Sequence, residues 1–346
     1  MQGERPSSAR SGIVTAGTWC VDGNKLVEYW PGEDGLAEIL NEEARGGGSG
    51  CNLAIDIKRL DPDIWVETQG LIGEDEDGRL LHAEADRYGI DRRRLVMTRE
   101  ARTLHTDAYT SQRSGRRTHI FNPGAASLMT PDHFDFTDTK GRILHLGLPG
   151  VHKKMDAPWN GDANGWLTVL RMARQAGLIT NLELATASPA RLRELVRPML
   201  PHLDLLIVND SEMGAIGEEE TVRDDRTVVE ACIRAARKVL EAGSCQVVAA
   251  HFPTGAVAVT RGGDIVTQPS IRVPKSVIAG ANGAGDAFAA GFLYGFHEGW
   301  ELRRCLALAH AAAAASLRSV TTCDAVAPWR ECLALADEWG WNDGIG

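Results

Sequence analysis

The chain has 346 residues, of which 43% are hydrophobic and 24% charged, with a formal net charge of −10. That size and composition suit one large or two small globular domains with a sizeable core, and the acidic balance argues against a general nucleic-acid or anionic-membrane binder. Seven scattered cysteines without a C-x-x-C pair fit reduced cytosolic thiols rather than a disulfide framework or a zinc site.

The polar stretch 1–12 lacks the apolar centre of a signal peptide and is expected to be a disordered tail. No run reaches the ~20 apolar residues of a membrane span. A cytoplasmic protein folding over 13–346 is the expectation, because no linker or repeat divides the rest of the chain.

Ile13 to Gly17 reads as a first buried strand, and Lys25 to Trp30 alternates like a half-exposed one. Asp22 lies between them. It is either a ligand contact near a strand end or a turn former before Gly23-Asn24. Gly46-Gly47-Gly48-Ser49-Gly50 opens a helix that continues through Asn52-Leu53-Ala54, and a side chain there would block a ligand lying on the backbone. The stretch brushes the dinucleotide pattern G-x-G-x-x-G. Cys51 takes the last glycine, however, and the neighbourhood lacks a clear strand-turn-helix with an acid about 20 residues on.

Gly70 to Leu81 gives strand, acidic turn and helix, the acids suiting a helix N-terminus. Thr103 to Phe121 is a hairpin pattern around a basic turn. Strands at 142–147, 179–184 and 203–208 alternate with helices at 163–176 and 189–198, which argues for a doubly wound, mostly parallel α/β sheet flanked by helices. Asn209-Asp210-Ser211-Glu212 follows the last of these strands and reads as a helix cap with acids in the first turn. A helix at 227–242, a strand at 246–250, His251 to Gly255, a strand at 256–260 and a turn at Gly262-Gly263-Asp264 come next. The helix 302–318 is alanine-rich around His310, and Trp329 to Trp339 looks like a sheet-covering helix.

Between them lies Gly280-Ala281-Asn282-Gly283-Ala284-Gly285-Asp286, a small-residue loop running into a helix. Free N–H groups and the helix dipole there suit phosphate oxygens. Asp286 would accept a backbone N–H as a cap or a proton from a substrate hydroxyl as a catalyst, and a carboxylate against phosphates is unfavourable unless a cation or a proton transfer explains it.

Gly283-Ala284-Gly285-Asp286, with the Gly47-Gly48 and Asn52 stretch, the acidic strand-turn-helix and Asn209-x-x-Glu212, resembles the ribokinase-like (PfkB) carbohydrate kinases in order and spacing from about residue 13 to 335. The resemblance implies a ribokinase-like fold with a small β-sheet lid from segments 18–32 and 103–122. It implies ATP-dependent phosphorylation of a hydroxyl of a sugar or sugar-like substrate. Asp286 would be the base, and Gly283, Ala284 and Gly285 would hold the phosphoryl group. Asp22, Gly47, Gly48 and Asn52 would orient the acceptor, and Asn209 and Glu212 would organise Mg²⁺.

The resemblance puts Gly255, Asn282 and His310 near the nucleotide, although His310 also reads as an ordinary satisfied histidine. Trp19, Tyr29, Trp30, Tyr109 and Phe121 are lid or stacking candidates, with core packing the alternative for each. Two departures stand out. Ala250 and Phe252 replace the usual threonine and first glycine of the ATP loop, and Gly280-Ala281 replace Asp-Thr before the anion site. The second departure removes a side chain that often helps hold a monovalent cation, so weak or absent potassium activation is expected. A homodimer through the lid is also expected. A nucleoside kinase of the same fold, or a sugar- or nucleotide-sensing protein with weak turnover, remains an alternative.

Overall fold

The computed structural model describes residues 10–185 and 187–345. In chain order its strands are β1 (Ile13–Gly17), β2 (Cys20–Val27), β3 (Ile39–Gly47), β4 (Val66–Gly73), β5 (Asp91–Thr98), β6 (His105–Ser111), β7 (Arg117–Asn122), β8 (Ile143–Gly147), β9 (Ile179–Leu182), β10 (Leu205–Asn209), the short pair β11 (Val222–Arg223) and β12 (Arg226–Thr227), β13 (Val247–Phe252), β14 (Gly255–Thr260) and β15 (Ile265–Pro269). The helices are α1 (Ser49–Leu60), α2 (Glu76–Arg87), α3 (Gly165–Gln175), α4 (Pro189–Val196), α5 (Asp210–Gly217), α6 (Val229–Ala242), α7 (Ala284–His297), α8 (Leu302–Ser316) and α9 (Trp329–Trp339).

The large sheet has the order β15-β14-β13-β10-β9-β8-β1-β4-β5. It is parallel from β13 to β5, with β14 antiparallel. Parallel strands need both faces covered, and here two apolar layers do so. Leu53, Ile57, Phe288, Leu306 and Leu335 pack one face, while Trp166, Leu170, Val196, Met213 and Val239 pack the other. Along β1, Ile13 joins the first layer and Val14 and Ala16 the second, as strand alternation requires. The strand order reverses between β1 and β8, and a crevice at the carboxyl ends of such strands is where open α/β sheets bind ligands.

The lid is a second sheet of order β3-β2-β6-β7. It contains a strand that sequence reading missed, Ile39–Gly47, outside the expected segments 18–32 and 103–122. Asp22 sits inside β2, paired with Arg45 and Thr106, so the turn reading of Asp22 is overturned. The acidic turn is a helix start as expected, with Asp75 accepting from the Gly78 amide at 2.9 Å. Most of the stretch expected to be a disordered tail, residues 1–9, lies outside the described residues. Ser11 and Gly12 already make contacts, through the Lys140 carbonyl and His297 Nε2. Among the described residues no helix is long and apolar enough to cross a membrane.

Candidate active site

The expected acceptor residues come together where β3 turns into α1. Gly48 is the N-cap, and Asn52 is buried in the first turn of the helix. Its Nδ2 donates to Asp286 Oδ2 at 3.0 Å, while its Oδ1 accepts from the Thr322 hydroxyl at 3.0 Å. Thr322 thereby fixes which end of the amide faces the carboxyl group. Gly47 lies against Asp22, and a Cβ on it would fall 2.2 Å from Asp22 Oδ2. Only a glycine leaves that carboxyl group room. Burial raises the Asp22 pKa, against the pull of Cys20 and of the charges on His119 and Arg117.

Asp286 is the third residue of α7, whose N-cap Gly283 has φ 77° and makes no side-chain cap bond. Without that cap, the first-turn amides of Ala284 and Gly285 are available to an anion. A Cβ on Gly283 would meet the Thr322 carbonyl at 2.6 Å. Gly283→Val should therefore combine a left-handed backbone with a direct clash. We expect a lower melting temperature, a destabilisation on the order of 1–3 kcal/mol, and loss of turnover; a normal melting curve would contradict this.

Two residues to which the sequence assigned no role, Glu183 and His145, pack beside Asp286. Glu183, just past β9, is partly buried beside Asp286, and its Oε2 accepts from His145 Nε2 at 2.6 Å. His145 is fully buried in β8, and its Nδ1 accepts from Asn181 Nδ2 at 2.9 Å. That bond assigns the ring proton to Nε2. Burial holds the His145 pKa down to about 4, so the ring is neutral near pH 7. Burial pushes Glu183 up to about 7, against the hydrogen bond from Asp286. Asp286 is raised well above the carboxylate range by burial first, then by the charge of Glu183 and their hydrogen bond. Two carboxyl groups this close share a proton rather than both ionise.

Asn209 and Glu212 form a reciprocal capping box at α5. Asn209 Oδ1 accepts from the Glu212 amide at 2.8 Å, and Glu212 Oε2 accepts from the Asn209 amide at 3.1 Å. The cap therefore uses one oxygen of Glu212 and leaves Oε1. Burial pushes Glu212 up to about 7, with the charges of Asp210 and Asp286 adding to it. Among the described residues no group of three or more His, Cys, Asp or Glu could hold a metal by itself. One carboxylate oxygen outside the capping box fits Mg²⁺, which takes few protein ligands and completes its shell with phosphates and water.

A cavity of about 350 Å³ lies beside the α7 N-terminus, lined by Asn209, His251, Phe252, Ala284, Phe288 and His310 among others. His251 stacks on Phe288 with ring centroids 4.7 Å apart, and Phe288 meets His310 edge-on at 5.0 Å. His310 is buried, and burial pushes its pKa down to about 3. The ring bonds the backbone of Gln268, while Nε2 has no partner. An apolar, aromatic-lined cavity with one ring nitrogen unpartnered among the described residues fits a nucleobase.

Gly255 does not line this cavity. It starts β14, and the space over it is filled by Ile345, whose Cγ2 would lie 2.3 Å from an added Cβ. Asn282 lines a different cavity, of about 470 Å³, between the lid and the loop before α7. Trp19 is buried and donates to Thr68 Oγ1 at 2.6 Å, so its role is packing.

The profile described as pfkB family carbohydrate kinase matches residues 14–330. The ATP-dependent ribose-1-phosphate kinase of Halopiger xanaduensis is 26% identical over 325 residues, covering 91% of this chain and 96% of that protein. The adenosine kinase of Saccharomyces cerevisiae is 25% identical over 293 residues, covering 83% and 82%. Among solved structures, ribokinase from Thermotoga maritima superposes with a TM-score of 0.76 at 19% identity, covering 94% and 99%. Arabidopsis thaliana ribokinase complexed with ribose and ATP gives 0.75 at 21% identity, covering 94% and 98%.

Fold and site thus define a phosphotransferase with an alcohol group as acceptor. The chain belongs to the pfkB family of carbohydrate kinases, whose members among its relatives act on sugars or nucleosides.

Proposed function

We propose that this protein transfers the terminal phosphoryl group of ATP to a hydroxyl of a sugar or sugar-like acceptor, with Asp286 as the base. The observation that carries the reading is the Asn52–Asp286 bond of 3.0 Å, which ties the acceptor-side amide to a carboxyl group at an uncapped helix N-terminus. Asp22, Gly47, Gly48 and Asn52 orient the acceptor. Asp286 then takes its hydroxyl proton as the oxygen attacks phosphorus. Amides of Gly283, Ala284 and Gly285 hold the transferring oxygens, so rate comes from positioning and preorganised dipoles. Asn209 and Glu212 would hold Mg²⁺, which supplies positive charge against the phosphate oxygens. The base of the nucleotide sits on His251, Phe288 and His310. The lid closes over the acceptor and keeps water from the phosphoryl group.

Gly280 and Ala281 bring no side-chain oxygen to the loop, so potassium should not stimulate turnover. All seven cysteines are free and buried, which suits the reducing cytoplasm. Release of ADP across a panel of sugars and nucleosides tests the reading. Turnover with a sugar supports it, turnover with nucleosides alone selects the nucleoside kinase, and ligand-induced stabilisation without ADP release selects a sensor.

We also propose a homodimer through the lid. Leu36 is 89% exposed and Ile120 56%, and Ile39 and Leu40 are exposed as well. By register Ile39 and Ile120 lie on the lid face turned away from Asp22. Ile120→Asp is expected to convert a dimer to a monomer in analytical ultracentrifugation; an unchanged dimer would refute this interface.

A further inference from the structure

The cleft face of the lid follows from its register. Asp22, Thr106 and Phe121 share one row, Asn24, Ala108 and His119 the next, and Leu26, Thr110 and Arg117 the third. On β3, Arg45 and Glu43 continue the first two rows. The basic groups of the lid differ in their partners. Lys25 pairs with Asp107, and Arg45 reaches Glu43 and Asp324 at 3.4 and 3.7 Å. Arg117 is half-buried, and among the described residues it has no carboxylate within ion-pair distance. Its Nε donates to the Thr110 hydroxyl at 3.1 Å, which fixes the guanidinium and leaves the fork open. It lines the cavity of about 470 Å³ that also reaches Gly280, Ala281 and Asn282, immediately before the anion site of α7.

A guanidinium that has lost part of its water, with only the more distant charge of Asp22 acting on it, is poised for an anion. We propose that the acceptor carries a phosphate group, and that Arg117, with His119 beside it, docks that phosphate on the cleft face of the lid. This rests on the kinase reading and names the substrate class for the same site. The Arg fork matches phosphate geometry, and His119 lies one row away on the same face of the lid. The Asp22 and Arg117 rows are four residues apart, about 13 Å of strand rise, and the Arg117 side chain covers part of that length. An acceptor with hydroxyls at Asp22 and Asn52 and a phosphate at its far end spans the remainder. Burial and the Arg117 charge lower the His119 pKa, whereas Asp22 raises it.

The test compares ribose, ribose 5-phosphate, ribose 1-phosphate and gluconate as acceptors, by ADP release and by thermal shift of the full chain. Ribose phosphates are expected to give the larger shift and the higher kcat/KM. Arg117→Gln should cut that preference by about 10- to 100-fold, chiefly through KM, and Arg117→Lys should restore part of it. Turnover of ribose or gluconate with no advantage for either phosphate, and no effect of Arg117→Gln, would overturn the phosphate site and leave the kinase reading standing. Absence of ADP release with every acceptor would remove the kinase reading. In that case the thermal shift still decides the site, since a ribose 5-phosphate shift abolished by Arg117→Gln supports it and an equal shift in both proteins overturns it.

Discussion

Replacing Asp286 by asparagine is expected to lower turnover by on the order of 10²-fold or more while leaving the fold and acceptor binding intact. The asparagine keeps the geometry. Its oxygen can accept from Asn52 Nδ2, and its amide can donate to Glu183. What it cannot do is take a proton. The substitution also removes one of two crowded carboxyl groups, so the variant should melt no lower than the parent protein at pH 8. Loss of activity with a retained melting temperature and retained ribose or ribose-phosphate shift identifies Asp286 as the base. Near-normal turnover would defeat the assignment.

Glu183→Gln is expected to have its largest effect on pH dependence. The Glu183 pKa rises from its ordinary 4.5 to about 7 in the folded chain. A carboxyl group shifted upward favours the folded state below its unfolded pKa, and that stability is lost as pH climbs through the folded pKa. For Glu183 the window runs from about 4.5 to 7, and the shift corresponds to something on the order of 3 kcal/mol across it. Glutamine cannot ionise, yet its oxygen still accepts from His145 and its amide can donate to Asp286. The variant should therefore lose much less stability between pH 5 and pH 8 in denaturant titrations.

Its rate profile should change too. The charge of Glu183 helps raise the Asp286 pKa, so without it the acid limb of kcat against pH moves to lower pH. A parallel pair of stability curves, or an unmoved acid limb, would show that the two carboxyl groups do not share a proton. The His145–Asn181 bond makes this corner stiff. It leaves Glu183 one orientation, toward both the ring and Asp286.

Much of this was legible before any coordinates. Apolar runs bounded by glycine marked the central strands and their mostly parallel arrangement, because parallel strands are buried on both faces. The Gly283-Ala284-Gly285-Asp286 turn announced itself because a left-handed cap and close contact with Thr322 admit little else. β3 escaped because Ile39–Gly47 is exposed along most of its length and carries acids and an arginine at successive positions. A lid strand has no core face to impose alternation. Glu183 and His145 escaped for the opposite reason. They sit in runs whose apolar neighbours dominate, and only their place near the carboxyl ends of β9 and β8 marked them.

For Asn209 and Glu212 the two readings are compatible, since the capping box uses only part of each side chain. Gly255 shows how a motif residue can be kept while its surroundings change. The vacancy it leaves is occupied by Ile345 rather than facing the nucleotide cavity.

That contact has a practical side. Trp341 bridges to Ile271, and the Asn342 amide bonds the Ser270 carbonyl at 2.9 Å, and both Ser270 and Ile271 line the cavity given to the nucleotide. Trp341 and Asn342 thus brace that wall from outside. Losing those two contacts would register first as poorer ATP affinity, well before the sheet behind it came apart.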